Sequence, residues 1–154
     1  MDLELVGKVV LITGGTDGLG LALAQRLVAE GAALYPLAIG AKAPGPASEP
    51  SSVSRAAGLA LMKALSKELG PEGIRVNAIL IGFIEAGQWV RLAANSGTEL
   101  PVLYERMAAD AKIPLGRVGR AEEFADLASF LLSARASYLT GTAINLDGGL
   151  SPVA

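Results

Sequence analysis

The sequence predicts an α/β domain built on a mainly parallel sheet. Two observations carry that reading. Short β-branched and apolar runs alternate with longer amphipathic stretches, the order produced when helices cross over between parallel strands. A glycine cluster, Gly14-Gly15-Thr16-Asp17-Gly18-Leu19-Gly20, falls at the first junction between such a run and such a stretch. The 154 residues are 51% hydrophobic and 18% charged, which supplies a core and argues against disorder. The length fits a single domain over residues 1–154.

The elements follow in order. Residues 8–13 (KVVLIT) read as a strand buried on both faces. Residues 21–30 read as a helix of strong formers, with Leu23 and Leu27 four apart and Gly31 as the stop. Residues 33–39 form a candidate strand that Pro36 assigns to a sheet edge. Residues 40–52, with three prolines and two glycines, read as a loop. Residues 54–69 predict a helix whose Ala57, Leu61, Leu65 and Leu69 form one apolar stripe, a core or subunit-interface face, and Gly70-Pro71 ends it. Residues 75–81 predict a strand closed by Gly82. Residues 85–98 fit no single pattern. Residues 99–112 predict a helix with Pro101 in its first turn. Residues 121–132 predict an amphipathic helix with Phe124, Leu127, Ala128 and Leu131 inward and Glu122, Glu123 and Asp126 in water; its acidic first turn suits the helix dipole. Residues 142–146 predict a last strand, closed by Asp147-Gly148-Gly149.

Composition narrows the chemistry. The chain has no cysteine and no histidine. Disulfides, thiolate metal sites, cysteine nucleophiles and histidine general bases are therefore excluded, and no metal site is expected. Thirteen basic against fifteen acidic residues give a net charge of -2, which is no footprint for nucleic acid. The N-terminus lacks the pattern of a secretory signal, and the apolar runs stop well short of about 18 residues, so no membrane span is expected. A soluble cytoplasmic protein is the expectation.

The glycine turn has a specific use. A glycine directly after a strand permits a tight turn, and one at a helix start lets the backbone approach a pyrophosphate. The helix N-terminus then offers N–H groups and a positive partial charge to the anion. A tight turn that binds nothing is the bland alternative, and Asp17 as a plain helix cap is the bland reading of that residue.

At this point the chain resembles the short-chain dehydrogenase/reductase family. Thr13-Gly14-Gly15-Thr16-Asp17-Gly18-Leu19-Gly20 is similar to that family's TGxxxGxG cofactor motif. Residues 54–69 followed by Gly73-Ile74-Arg75-Val76-Asn77-Ala78 resemble its active-site helix and next strand. Pro114-Leu115-Gly116-Arg117-Val118-Gly119 with Glu122-Glu123, and residues 138–149, resemble its late loop, helix and terminal strand. The resemblance covers about residues 5–32 and 52–150. It implies a Rossmann-like three-layer fold and hydride transfer between a nicotinamide and a small-molecule carbonyl or alcohol. It implies NAD or NADP as cofactor and a homo-oligomer. The implied cofactor-binding residues are Gly14, Thr16, Asp17, Gly18, Leu19, Gly20, Arg55 and Ile84, the last through its backbone.

The departures bear equally on function. The chain is shorter than family members, with an apparent internal deletion near residues 33–50, so the sheet is expected to be reduced in strand number. Residues 33–39 stand for the family's second or fifth strand, with the loop after them favouring the fifth. No acidic residue lies between Glu30 and Glu49, so the ribose acceptor is missing and cofactor binding is expected to be weakened or lost. No tyrosine stands four residues before any of Lys8, Lys42, Lys63, Lys67 or Lys112. Arg55 aligns with the family's lysine and Ser51 with its tyrosine. An arginine holds its proton too tightly to relay it, and a serine needs an activating neighbour. No catalytic residue is assigned. Ala86 stands where a threonine often binds the cofactor. Arg75, Asn77 and Asp147 read as structural, and Trp89 as a packing residue. Three readings stay open: an impaired oxidoreductase, a non-enzymatic nucleotide-binding or subunit-assembly module, and a deletion product without activity.

Overall fold

A computed structural model describes residues 2–13, 18–37 and 49–152. The elements are β1 (Val9–Thr13), α1 (Gly18–Ala29), β2 (Ala33–Leu37), α2 (Glu49–Glu68), β3 (Ala78–Ile81), α3 (Gly87–Ser96), α4 (Leu100–Asp110), α5 (Ala121–Leu132) and β4 (Ala143–Leu146). Short 3-10 turns follow α2 and α5. The expected α/β class and the parallel, reduced sheet flanked by helices are both observed. The strands do not form one continuous ladder among the described residues. They form two parallel pairs, β1 with β2 and β3 with β4.

Residues 33–37 lie directly beside β1, in register from Val9 opposite Ala33 to Thr13 opposite Leu37. That is the place of the strand following a β-α crossover, so the assignment to a fifth strand does not hold. Among the described residues β2 has one neighbour, which accommodates Pro36 because a proline has no N–H to give a second ladder. The expectation that β1 is buried on both faces fails at its start, where Val9 is 69% exposed.

The N-terminal unit has its own small core of Leu3, Leu5, Ala24, Leu27 and Ala32. Helix α1 packs against α5 and joins this unit to the rest. Ala125, Ala128 and Ser129 are buried on α5, while Phe124 is only half-buried. Leu131 is buried as well, so Ala128 and Leu131 of the expected stripe lie inside, and Ala125 and Ser129 extend the buried face beyond it. Exposed ion pairs tie the same halves: Arg26 to Asp126 at 3.5 Å and Arg135 to Glu4 at 3.2 Å.

Arg75 fixes the C-terminal half. Its guanidinium donates to the carbonyls of Leu131, Leu132, Ser133 and Ala136 at 2.5–3.3 Å. Leu131, Leu132 and Ser133 carry the carbonyls at the end of α5 and Ala136 closes the following 3-10 turn, and a cation there also suits the dipole. Asn77 donates to Leu139 O and accepts from Thr142 N–H. Both residues are structural, as their sequence context implies. Among the described side chains of α2 the buried positions are Met62 and Ser66, and Lys63 Nζ donates to Gly141 O at 2.8 Å. Ala57 and Leu61 of the expected stripe face outward, Leu61 at 59% exposure. No described helix is long and apolar enough to cross a membrane.

Candidate functional site

The site is built where the C-terminal ends of β1 and β3 meet the N-termini of α1 and α3. Gly14, Thr16 and Asp17 lie outside the described residues. Gly18, Leu19 and Gly20 form the first turn of α1, three residues earlier than helix propensity places its start. Gly18 has a φ of +52°, the left-handed region that a glycine enters without a Cβ clash. A Cβ on Gly18 would stand 3.9 Å from Ala86 Cβ and 4.0 Å from Gly87 N. The glycine turn therefore abuts the start of α3.

Helix α3 begins after an extended Ala86 that gives it no side-chain cap. Neither first turn carries an acidic residue. The starts of α1 and α3, each the positive end of a helix dipole, thus lie side by side at Gly18 and Ala86.

The segment that enters α3 is held from three sides. Gly82 N–H donates to Leu146 O at 3.1 Å. Ile84 bridges Gly119 in parallel, with Glu85 N–H donating to Gly119 O at 2.8 Å and Gly119 N–H to Phe83 O at 2.9 Å. Trp89 Nε1 donates to Ile84 O at 2.9 Å, and its ring lies 6.0 Å from that of Phe83. Trp89 is thus a packing residue that fixes this segment. Asp147 is a turn residue whose carboxylate accepts from Gly149 and Ser151 N–H at 2.9 Å each.

The glycine turn and the Ile84 segment come together through Gly18 and Ala86. Ile84 is buried, and its carbonyl is occupied by Trp89. Arg55 lies on α2 with its side chain outside the described part, as does Ser51. No group of three or more possible metal ligands occurs among the described residues.

Two features escape motif reading. Arg117 grips Glu123 with two hydrogen bonds, Nη1 to Oε2 at 2.8 Å and Nη2 to Oε1 at 2.6 Å. Glu123 also accepts from Arg120 N–H at 2.7 Å, closing the start of α5. The Arg117 hydrogen bonds first, and the Arg120 N–H second, hold the Glu123 carboxyl down at about 2. The second feature is a cleft of about 540 Å³ between α4 and residues 116–120, with Glu85 and Tyr104 on its walls. Burial, then the Glu85 carboxylate, push the Tyr104 phenol up.

A family model described as enoyl-(acyl carrier protein) reductase matches residues 38–151. The chain belongs to the short-chain dehydrogenase/reductase family. An uncharacterized oxidoreductase YmfI from Bacillus subtilis is 38% identical over 98 residues, 64% of this chain and 37% of that protein. A 3-oxoacyl-acyl-carrier-protein reductase FabG from Thermotoga maritima is 39% identical over 99 residues, again 64% of this chain and 37% of the relative. The match therefore spans little more than a third of these relatives' length. Among solved structures, L-sorbose reductase from Gluconobacter frateurii, complexed with NADPH and L-sorbose, superposes with a TM-score of 0.85 at 20% identity, covering 100% of both chains. An NADPH-bound short-chain oxidoreductase from Pseudomonas aeruginosa with an atypical catalytic center gives 0.82 at 22% identity, covering 96% of this chain and 98% of that one. These likenesses place this short-chain dehydrogenase/reductase chain in the oxidoreductase fold.

Proposed function

We propose that the chain binds NAD or NADP at the mouth between α1 and α3 and is an impaired member of the reductases that act on a small-molecule carbonyl or alcohol. The observation that carries the reading is that Gly18, in the left-handed conformation a glycine enters freely, brings the start of α1 beside Ala86 and Gly87 at the start of α3. Gly14, Thr16, Asp17, Gly18, Leu19 and Gly20 would hold the pyrophosphate and adjoining ribose, Arg55 the nicotinamide ribose, and Ile84 the carboxamide through its backbone. When bound, the nicotinamide supplies or accepts the hydride. The chain's own part is to orient it and to offer helix-end charge to its phosphates. NADPH in two structurally similar enzymes supports the choice of cofactor. The absence of a Tyr-x-x-x-Lys pair leaves no assigned proton donor, and that is the impairment. We read the chain as one domain with an internal deletion near residues 33–50.

The test is to titrate NADH and NADPH and follow energy transfer from Trp89, the single tryptophan. A saturable signal that oxidised cofactor competes away, and that Gly18→Val removes, is the expected result. No signal at millimolar cofactor, with no heat by calorimetry, or full binding by Gly18→Val, overturns the reading.

One observation favours a second reading as a homo-oligomeric assembly module, namely the outward face of α2 at Ala57 and Leu61. Sedimentation equilibrium that finds only monomer at high micromolar concentration counts against it.

A further inference from the structure

We propose that the cleft between α4 and residues 116–120 is a second small-molecule site, that it takes an organic ammonium ion, and that Glu85 is its anchor. The placement comes from the backbone. Successive side chains of an extended segment face opposite ways. Ala86 faces Gly18 at the dinucleotide mouth, and Ile84 lines a small cavity beside Asp147. Glu85, between them, lines the cleft instead. The cleft is therefore across the segment from the mouth, and the inference does not rest on the dinucleotide reading.

The chemistry comes from the charge balance. The cationic side chains on the wall are Arg117 and Arg120. Arg117 is spent on the bidentate bond to Glu123, and Arg120 lies 3.8 Å from that same carboxylate. Glu85 lines the wall without a salt bridge among the described residues, with the Arg117 charge acting on it from a distance, and Glu105 on α4 adds a second carboxylate at the wall. Counting Glu123, three carboxylates stand against two guanidinium groups, so one negative charge is left over, although the Arg117 charge also reaches Glu85. Tyr104 adds a neutral phenol and a ring face suited to a cation, its pKa raised by burial first and by the Glu85 charge second. Pro101 and Val118 supply apolar wall for an organic body. A benzylammonium ion fills a minor part of about 540 Å³ and can meet the carboxylate and the apolar wall together.

The experiment uses the whole chain without nucleotide, with benzylammonium, benzyl alcohol and benzoate as probes, read by calorimetry. Saturable benzylammonium binding at about millimolar Kd is expected. Benzyl alcohol and benzoate are each expected to bind at least tenfold more weakly. Glu85→Gln is expected to weaken benzylammonium at least tenfold with far-UV circular dichroism unchanged. Amide cross-peaks of Glu85, Tyr104 and Gly119 are expected to move on titrating the unmodified chain, which keeps the proposal testable if the variant does not fold. No saturable benzylammonium binding, equal or tighter benzoate binding, unchanged affinity in a folded Glu85→Gln, or shifts confined to residues outside the cleft overturns it.

Discussion

Gly82 has no space for a side chain. A Cβ there would stand 2.7 Å from Asp147 Cβ and 2.8 Å from its Cα, and a backbone atom cannot swing aside as a side-chain tip can. Gly82→Ala is expected to cost about 1–3 kcal/mol, seen as a lower urea midpoint at unchanged slope. Glu123 makes a different kind of contribution. Its folded pKa of about 2 lies below the usual 4.5, so the contribution is fully present above about pH 4.5 and is lost as pH falls through about 2. Both partners are partly exposed, which limits the effect to about 1 kcal/mol. Glu123→Gln is expected to lower stability at pH 7 and to flatten the loss of stability between pH 5 and 2, as measured by urea unfolding across that range.

At the scale of elements, the end of α5 depends on one side chain from outside the helix. Arg75→Met keeps much of the apolar stem but removes the guanidinium donor from Leu131 O and Leu132 O, while Ser133 O and Ala136 O keep the N–H groups of Ala136 and Leu139. It is expected to cost about 2 kcal/mol, with far-UV signal at low temperature retained. The bounds of α5 were legible at both ends, because its acidic first turn and apolar spacing agree. Other elements were less so. Helix α2 starts at Glu49 and takes Pro50 into its first turn, where a proline costs nothing, although the Pro-rich run reads as loop. Helix α3 has neither a capping side chain nor an acidic first turn, so nothing in the sequence announces its start. Of the glycine run, Gly18, Leu19 and Gly20 open α1. The Glu85 cleft was not legible, because its walls come from residues 85, 101–105 and 116–120, which only tertiary packing brings together.

For the whole molecule, the two strand pairs leave apolar surface in water that a continuous sheet would cover. Val9 and Ile81 are 69% and 46% exposed, at strands that each have one ladder partner among the described residues. Open edges of this kind invite pairing with another chain. The melting midpoint is expected at or below the lower end of the mesophile cluster, about 45 °C, with light scattering that rises with protein concentration. A sharp transition well above about 65 °C would contradict this. The two halves are also unequally fastened. Arg75 and Asn77 bind the C-terminal strands, turn and helix end into one unit. The N-terminal unit, with its own five-residue cluster, is attached mainly through α1 on α5 and through exposed ion pairs. Amide deuterium uptake should therefore occur in two tiers, with β1, α1 and β2 opening as a block while β3, α5 and β4 stay closed.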